Sequence, residues 1–356
     1  MNRRQMLRSL AGACSALALN SPGSLSAAAG PGRTRLGIVT YCLGIRQRAL
    51  LREGAGKSLA DPLTFLEECQ ALGAGGIQTD LGIRDETSTA QLRRRAEALD
   101  MHIEGAIELP YDEAELPRFE RQLETAARAG ATVARATLMP NRRYEQFTSL
   151  KDYQAAVARG VKALQLAEPL LARRRFRLAL ENHKDQRLAE RLELLKRLSS
   201  EYVGACVDVG NDLALLEDPG EVVRAYAPWA FTVHLKDLAV REYADGFLLA
   251  DAALGEGILD LPAMLDVLRK AKPGLRFNLE VITRDPLKVP VLADSYWATL
   301  TDVPATDLAR TLRLVKAKSS VQPLAYPSQL SPAEQVEAET GNIRRSLAYA
   351  RERLGL

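Results

Sequence analysis

Cysteine and aromatic residues are both scarce in this chain, and each scarcity excludes a class of protein. Four cysteines in 356 residues cannot form the dense disulfide framework of a small secreted domain, and their spacing does not match a zinc knuckle. Aromatic residues make up 5% of the chain, which is too few for the stacking platforms of a single-strand nucleic-acid binder.

Charge of one sign and long apolar runs are also missing. The 48 basic side chains nearly balance the 45 acidic ones, and the net charge of +3 is too small and too dispersed to indicate nucleic acid as a partner. After the first 29 residues, no apolar run approaches the roughly 20 residues of a membrane span. No Gly-x-Gly-x-x-Gly follows the first predicted strand, which disfavours a dinucleotide-binding fold. The length suits one barrel-sized domain of roughly 250 residues with extensions.

The first 29 residues have the layout of an export signal. Arg3 and Arg4 precede an apolar, small-residue stretch, and the alanines at 27–29 offer a cleavage site. Paired arginines at this place are typical of a twin-arginine leader, so we expect export to the periplasm or secretion. An ordinary basic N-terminus is the alternative. Cleavage would remove Cys14 and leave three cysteines, which cannot all pair.

Strand-like and helix-like segments alternate from residue 35 to residue 318. Short apolar runs predict strands at 36–41, 75–80, 102–108, 132–138, 176–181, 203–208, 230–234 and 276–280. Helical patterns and capping residues predict helices at 61–72, 86–99, 113–129, 151–171, 187–198, 219–225, 261–271 and 305–318. This repeat of βα units predicts an α/β fold, a closed (β/α)8 TIM barrel over residues 35–318. A proline-punctuated linker and a helix at 332–354 form a C-terminal helical extension, residues 319–356.

Two segments exceed a minimal barrel. Residues 237–257 and 283–290 follow the seventh and eighth strands, and both are predicted as long loops at the end of the barrel where active sites form. A variable loop without a function is the alternative. Candidates for closing over a substrate are Tyr243, Asp245, Phe247 and Asp251.

Four consecutive predicted strands end on a side chain that can bind a metal ion. These side chains are Glu181, Asp208, His234 and Glu280. Because the C-terminal ends of barrel strands surround one mouth, we expect the four groups to converge. Three carboxylates and one imidazole suit Mn²⁺, Mg²⁺ or Co²⁺, with Zn²⁺ less preferred. The alternatives are helix caps or surface charges for the acids and a structural hydrogen bond for the histidine.

The motifs around these residues resemble those of the xylose isomerase-like TIM-barrel superfamily, the sugar phosphate isomerase/epimerase family. They are Glu181-Asn182-His183, Cys206-Val-Asp208-Val-Gly210-Asn211, His234-Leu-Lys236-Asp237 and Asn278-Leu-Glu280. The resemblance extends over residues 35–318 and is specific from Glu181 onward. It implies that the four candidate residues bind one divalent cation, most often Mn²⁺. Ketose 3-epimerases of this superfamily exchange a proton with the substrate carbon through the two metal-bound glutamates, which implies catalytic roles for Glu181 and Glu280.

Further polar residues near the predicted mouth are candidates for substrate binding. His183 and Lys236 each follow a predicted ligand by two residues, so strand alternation places them on the same side as that ligand. We expect His183 to contact a substrate hydroxyl and Lys236 to bind a sugar oxygen or a carboxylate. A solvated histidine and a salt bridge from Lys236 to Asp237 are the alternatives. Asn211 is expected to orient its metal-binding neighbour or the substrate. Two further candidates, both on the third strand, are Glu104 and Glu108.

Together these features predict an isomerase or epimerase of a non-phosphorylated sugar, a ketose or a keto-sugar. Removing a proton next to a carbonyl creates an enediolate, whose charge a divalent ion stabilises while two carboxylates act as acid and base. An exported enzyme seldom meets sugar phosphates, and no phosphate cradle is evident. The second hypothesis is a lyase or decarboxylase of a keto-sugar acid or keto-glycoside, because the loss of carbon dioxide or of a β-substituent passes through the same intermediate.

Two other functions are less consistent with the sequence. The DNA-repair endonucleases of the same superfamily use three zinc ions and need more histidines than the three present. The other function is that of a sugar-binding protein that has the barrel fold but no catalytic activity. Superfamily members often form dimers or tetramers, and the surface pattern leaves a homo-oligomer open.

Overall fold

The computed structural model describes residues 32–54, 56 and 58–356, so the predicted export signal at 1–29 lies outside the described residues. Within these ranges the chain forms eleven strands. They are β1 (Gly37–Val39), β2 (Gly76–Asp80), β3 (His102–Ala106), β4 (Val133–Ala136), β5 (Arg177–Glu181), β6 (Val203–Asp208), β7 (Ala230–Leu235), β8 (Asp237–Tyr243), β9 (Gly246–Ala252), β10 (Phe277–Leu279) and β11 (Leu287–Val289).

Eight of the described strands close into a barrel in the order β1-β10-β7-β6-β5-β4-β3-β2, with parallel pairing between neighbours. The prediction of a closed (β/α)8 barrel is therefore confirmed. The strands that carry the four candidate ligands, β5, β6, β7 and β10, are consecutive in this order. In the register of β6 and β7, Asp208 lies directly beside His234. The topology thus brings the four strand ends to one side of the mouth.

The helices that follow the barrel strands lie close to their predicted positions. The described residues form α1 (Gly44–Glu53), α2 (Pro62–Leu72), α3 (Glu86–Ala98), α4 (Leu116–Arg128), α5 (Arg143–Gln146), α6 (Leu150–Arg174), α7 (Leu188–Leu198), α8 (Pro219–Tyr226), α9 (Leu261–Ala271), α10 (Ala305–Lys318) and α11 (Pro332–Arg353). The sequence did not predict α1 and α5. Asp61 caps α2 by accepting the Thr64 N–H, with Pro62 in the first turn. None of the helices in the described part of the chain has the length and apolar character of a membrane span.

The two segments predicted as loops at 237–257 and 283–290 form a second sheet, so this part of the prediction is wrong. Strands β8 and β9 make an antiparallel hairpin, and β11 pairs with β9. The hairpin turns at Ala244-Asp245, and Gly246, the first residue of β9, has a φ of 148° that other residues rarely adopt. One face of the sheet packs into a hydrophobic cluster of its own. Members of that cluster include Val240, Phe247, Leu249, Val289, Tyr296 and Val315.

The last helix, α11, packs on the loops at the C-terminal end of the barrel strands. The Glu339 carboxylate accepts the N–H groups of Ile45 and Arg46, at 2.7 and 2.9 Å, and so satisfies the free N-terminus of α1. Ser346 accepts the Leu254 N–H at 3.1 Å. Helix α11 therefore anchors segments that follow β1 and β9, on the same face of the barrel as the candidate site.

Candidate metal centre

Four potential ligands meet where neighbouring barrel strands end, as the sequence predicted. Glu181 and Asp208 are the last residues of β5 and β6, His234 lies next to the end of β7, and Glu280 follows β10. One candidate ligand atom from each residue lies within 4.8 Å of those of the other three. The first three side chains are fully buried, and Glu280 is 4% exposed. A group of three acids in such a place requires compensating positive charge.

The cluster has the donor set and an open position that fit a divalent cation. Nδ1 of His234 is buried and has no hydrogen-bond partner among the described residues. It lies 3.4 Å from Glu280 Oε2 and 3.9 Å from Glu181 Oε2. A nitrogen lone pair that faces two carboxylates is stable only with a cation or a proton between them. The three carboxylates and one imidazole form a mostly oxygen donor set, which suits Mn²⁺ or Mg²⁺.

Lys236 bridges two acids of this cluster. Its Nζ lies 2.8 Å from Asp208 Oδ2 and 2.8 Å from Glu280 Oε2, and the residue is 2% exposed. The alternative salt bridge to Asp237 is not present among the described contacts. The Asp237 carboxylate instead accepts four backbone N–H groups between residues 238 and 259. The ammonium of Lys236 thus neutralises part of the negative charge of Asp208 and Glu280.

Burial and mutual repulsion set the ionisation of the acids. Burial alone would raise the pKa of Glu181, but neighbouring positive charge, chiefly that of Arg135, outweighs it and holds that pKa at about 2. Burial, with the charges of Glu280 and Glu181, raises the pKa of Asp208 to about 8 against the opposing charge of Lys236. One lysine is therefore not enough to keep all the acids ionised, and a divalent cation would supply the missing charge.

Two asparagines hold Asp208 in place. Asn182 brackets its backbone: the amide group of Asn182 donates to the Asp208 carbonyl and accepts the Asp208 N–H, both at 2.8 Å. Asn211 Nδ2 donates to Asp208 Oδ2 at 2.6 Å. The Oδ1 atom of Asn211 accepts hydrogen bonds from Lys184 and Lys236. Asn211 is thus placed as expected for a residue that orients Asp208.

The predicted substrate-binding residues face two adjoining cavities at the mouth. The larger cavity, about 640 Å³, is lined by His183 and Glu108, and the smaller one, about 200 Å³, by His183, Lys236 and Asn211. Burial lowers the pKa of His183, which favours the neutral imidazole. Its Nδ1 finds no hydrogen-bond partner in the part of the chain that the structure describes. A substrate hydroxyl in either cavity could meet that atom.

Other candidates from the sequence lie elsewhere. Glu104 is fully buried inside the barrel. It does not line either of the two cavities that the described residues form at the mouth. Phe247 packs into the hydrophobic cluster of the second sheet, so its predicted role over a substrate is wrong. Asp251 approaches the site indirectly, since its Oδ2 lies 3.4 Å from Arg284, a residue that lines both cavities.

Sequence reasoning missed two arginines of the site. Arg135 on β4 donates from Nε to Glu181 Oε2, and its guanidinium lies 5.7 Å from the centre of the Tyr41 ring. Arg284 follows β10 and has a side chain 34% exposed. One signal was available, because Arg135 is the single charge in the apolar run at 132–138 and a lone charge there needs a buried partner.

A family model described as a xylose isomerase-like TIM barrel matches residues 66–303 of the chain. Solved structures with a similar fold include a D-psicose 3-epimerase studied in the presence of D-fructose, with a TM-score of 0.57 and 16% identity, covering 91% of this chain and 100% of that one. An L-ribulose 3-epimerase gives a TM-score of 0.52 at 16% identity, covering 90% and 96% of the two chains. At this identity the likeness concerns the fold alone.

The chain is also 32% identical over 96 residues to the 3-oxo-isoapionate decarboxylase of Pectobacterium atrosepticum. That match includes 26% of this chain and spans 35% of the length of the relative.

Proposed function

The chain belongs to the xylose isomerase-like TIM-barrel family, and from this premise we propose that it is a divalent-metal-dependent isomerase or epimerase of a non-phosphorylated sugar or keto-sugar. The observation that carries the proposal is the buried group of Glu181, Asp208, His234 and Glu280, whose ligand atoms lie within 4.8 Å of one another. Two of the similar folds are ketose 3-epimerases, and the proposal extends that type of reaction to this chain.

The same four residues would hold the ion. Mn²⁺ is the first choice for this donor set, with Mg²⁺, Co²⁺ and Zn²⁺ as alternatives. When bound, the ion would supply the positive charge that stabilises an enediolate of the substrate.

Glu181 and Glu280 are proposed as the acid and base. They lie at the ends of β5 and β10, which β6 and β7 separate in the barrel, so they approach a bound sugar from different sides. Arg135 keeps Glu181 ionised and therefore able to accept a proton from the carbon next to the carbonyl. Glu280, after taking a proton from solvent, delivers it to the other face or to the neighbouring carbon. One C–H bond breaks and one forms, and Glu181 releases its proton to solvent before the next turnover.

The cavities fit a sugar in size and in chemistry. Their volumes, about 640 and 200 Å³, lie in the range of small-molecule sites. His183 and Glu108 offer hydrogen-bonding groups to hydroxyls in the larger cavity, and Lys236 and Asn211 offer them in the smaller one.

A lyase or decarboxylase of a keto-sugar acid is the second candidate, and the charge of the cavity walls favours it. Six cationic side chains line the cavities, against six carboxylates that line them or adjoin them, so a divalent ion would leave a net charge of about +2, which favours an anionic ligand. In a decarboxylation the bond to the carboxylate breaks, carbon dioxide leaves, and the electron pair forms the same enediolate, which an acid then protonates. The partial match to a decarboxylase also supports this candidate. The cations are Arg118, Arg135, Arg142, Lys184, Lys236 and Arg284, and the carboxylates are Asp80, Glu108, Glu181, Asp208, Asp251 and Glu280.

Incubation in D₂O with Mn²⁺ and a panel of ketoses, 3-keto sugars and keto-sugar acids separates the candidates. An isomerase or epimerase gives a product of the same composition with deuterium at one carbon, whereas a decarboxylase releases carbon dioxide. Glu280→Gln is expected to lower either activity by about 10²- to 10⁴-fold, the usual contribution of a general acid or base. The enzyme proposal fails if the purified protein binds no divalent cation and Glu280→Gln changes no activity.

We also propose that the chain is exported by the twin-arginine route, on the basis of the motif at residues 1–29. Cell fractionation tests this. The wild-type protein is expected outside the cytoplasm, and a variant with Arg3→Lys and Arg4→Lys is expected to stay inside.

A further inference from the structure

Beneath the metal centre, the barrel interior contains a connected set of polar side chains where apolar filling is usual. Gln78, Glu104, Thr232 and Asn278 are at most 1% exposed. Glu104 Oε2 accepts hydrogen bonds from Gln78 Nε2 at 3.0 Å, Thr232 Oγ1 at 2.7 Å and Asn278 Nδ2 at 2.9 Å. The set continues upward, because Gln78 Oε1 lies 2.6 Å from Nε2 of His234. Glu104 is therefore linked to a proposed metal ligand through a single glutamine.

The polarity of this set is fixed at its lower end. Glu104 Oε2 receives three donors, so the amide of Gln78 must turn its NH₂ group toward Glu104. The carbonyl oxygen of Gln78 then faces His234. A carbonyl oxygen only accepts hydrogen bonds, so Nε2 of His234 must carry the proton. In a neutral ring this leaves the lone pair on Nδ1, the atom that faces Glu181 and Glu280.

Glycines on neighbouring strands leave space for these polar side chains, and burying them lowers the stability of the barrel. A Cβ atom on Gly37 would clash with Asn278, and one on Gly76 would clash with the His102 ring, which bonds to Asn278 at 3.0 Å. Glu104 Oε1 is buried and without a hydrogen-bond partner among the described residues. A buried acid with an oxygen left unsatisfied stabilises a barrel less than apolar side chains would. The set therefore calls for a role other than filling space.

We propose that Gln78 and Glu104 are positioning residues that hold His234 as its Nε2-protonated tautomer, with Nδ1 directed at the ion. Glu104 acts through Gln78, and Gln78 acts through His234. Such outer residues commonly set the affinity of a metal site without touching the ion. The inference rests on the proposed metal centre but not on the choice between epimerisation and decarboxylation.

The chain has only three histidines, so long-range ¹H–¹⁵N NMR can read each ring separately. In wild-type protein saturated with Mg²⁺, which is diamagnetic, His234 should show a protonated Nε2 and a bare Nδ1. Gln78→Leu removes the acceptor at nearly constant volume. It is compared with the wild type in the metal-free state, because a bound ion would itself keep Nδ1 unprotonated, and there a mixture of tautomers is expected. Thr232→Val is the matched control. It removes another donor to Glu104 but leaves the hydrogen bond from Gln78 to Glu104. It should therefore lower the stability of the protein without changing which nitrogen of His234 carries the proton.

Calorimetric titration with Mn²⁺ supplies a second measurement, which needs no enzyme activity. Gln78→Leu is expected to weaken Mn²⁺ binding about 10- to 100-fold. Glu104→Gln removes the acceptor that fixes the orientation of the Gln78 amide. In the wild-type background it should therefore weaken Mn²⁺ binding. It should have little further effect in the Gln78→Leu background, because Glu104 acts through Gln78. Glu104→Gln also keeps the test available if Gln78→Leu does not fold.

Three outcomes would overturn the inference. In the first, Nδ1 of His234 carries the proton in the Mg²⁺-loaded wild type. In the second, Gln78→Leu, or Glu104→Gln in its place, binds Mn²⁺ within about twofold of the wild type, well inside the usual effect of such residues. In the third, Thr232→Val weakens binding as much as Gln78→Leu, which would indicate general damage to the core. Failure of the metal centre itself looks different, because the wild type would then bind no Mn²⁺.

Discussion

Replacing Lys236 tests whether its ammonium stands in for a metal ion. The Nζ atom lies 2.8 Å from both Asp208 and Glu280, in a site where the lysine is 2% exposed. Lys236→Met keeps most of the side-chain volume and removes the charge. The two carboxylates then lose their nearest cation, and a bound divalent ion can replace its charge.

The size of the effect follows from the burial of the pair. Breaking a buried ion pair by removing one partner typically costs about 3–5 kcal/mol of unfolding free energy. In a protein of this size, about 2 °C of Tm corresponds to each kcal/mol, so a loss of about 6–10 °C is expected in EDTA. Saturating Mn²⁺ stabilises both proteins, and the gain rises by about 1.4 kcal/mol for each tenfold increase in affinity. The wild-type ammonium repels the ion, so we expect Lys236→Met to bind Mn²⁺ about 100-fold more tightly than the wild type. The difference in unfolding free energy should then shrink by about 2.7 kcal/mol, which leaves a difference in Tm of about 1–5 °C.

Thermal unfolding of wild type and variant, each in EDTA and in Mn²⁺, measures this difference. Lys184→Met is the matched control, because Lys184 is also buried but its Nζ donates to Asn211 and not to a ligand carboxylate. Its loss of stability should be similar with and without Mn²⁺. Equal destabilisation of Lys236→Met in EDTA and in Mn²⁺ would refute the reasoning.

Three further changes test separate parts of the molecule. Arg284→Met removes a cavity cation and should raise the KM for a keto-sugar acid about 10- to 100-fold, the value of a charged hydrogen bond, while the KM for a neutral keto-sugar stays nearly constant in steady-state assays. Glu339→Ala leaves the first N–H groups of α1 without a cap and should cost about 1–2 kcal/mol in urea unfolding. Burial raises the folded-state pKa of Glu217 to about 7, so its stabilising contribution is present below its unfolded pKa and is lost as the pH rises through 7. Relative to Glu217→Gln, the wild type should therefore lose on the order of 3 kcal/mol between pH 4.5 and 8, measured by urea unfolding across that range.

The sequence was sufficient to predict the barrel and its candidate ligands because both have local causes. An apolar run that ends on an acid or a histidine can be recognised from adjacent residues alone. In a closed parallel barrel, the ends of four such successive strands converge on one mouth. Helix boundaries such as Pro62–Leu72 and Leu261–Ala271 were predictable for the same reason, since their capping residues are adjacent in sequence.

The second sheet was missed although its hairpin signal was present. Asp245-Gly246 between two alternating apolar segments is typical of a hairpin turn, which the structure forms one residue earlier, at Ala244-Asp245. Because a simple βα repeat was expected, the segment at 237–257 was predicted as a loop and not as a hairpin. The partner strand β11 lies about 40 residues away along the chain, and pairing over such a separation has no local signature.

The surroundings of the metal centre could not be predicted, because they depend on which strands meet across the barrel. Arg135 reaches Glu181 from β4, and Gln78 reaches His234 from β2, more than 150 residues away in sequence. Neither partner is visible until the order and stagger of the strands are known. These contacts nevertheless decide the charge on one proposed base and the tautomer of one proposed ligand. Residue types at strand ends therefore indicate that a site can bind a metal, whereas the reaction depends on contacts that only the closed barrel creates.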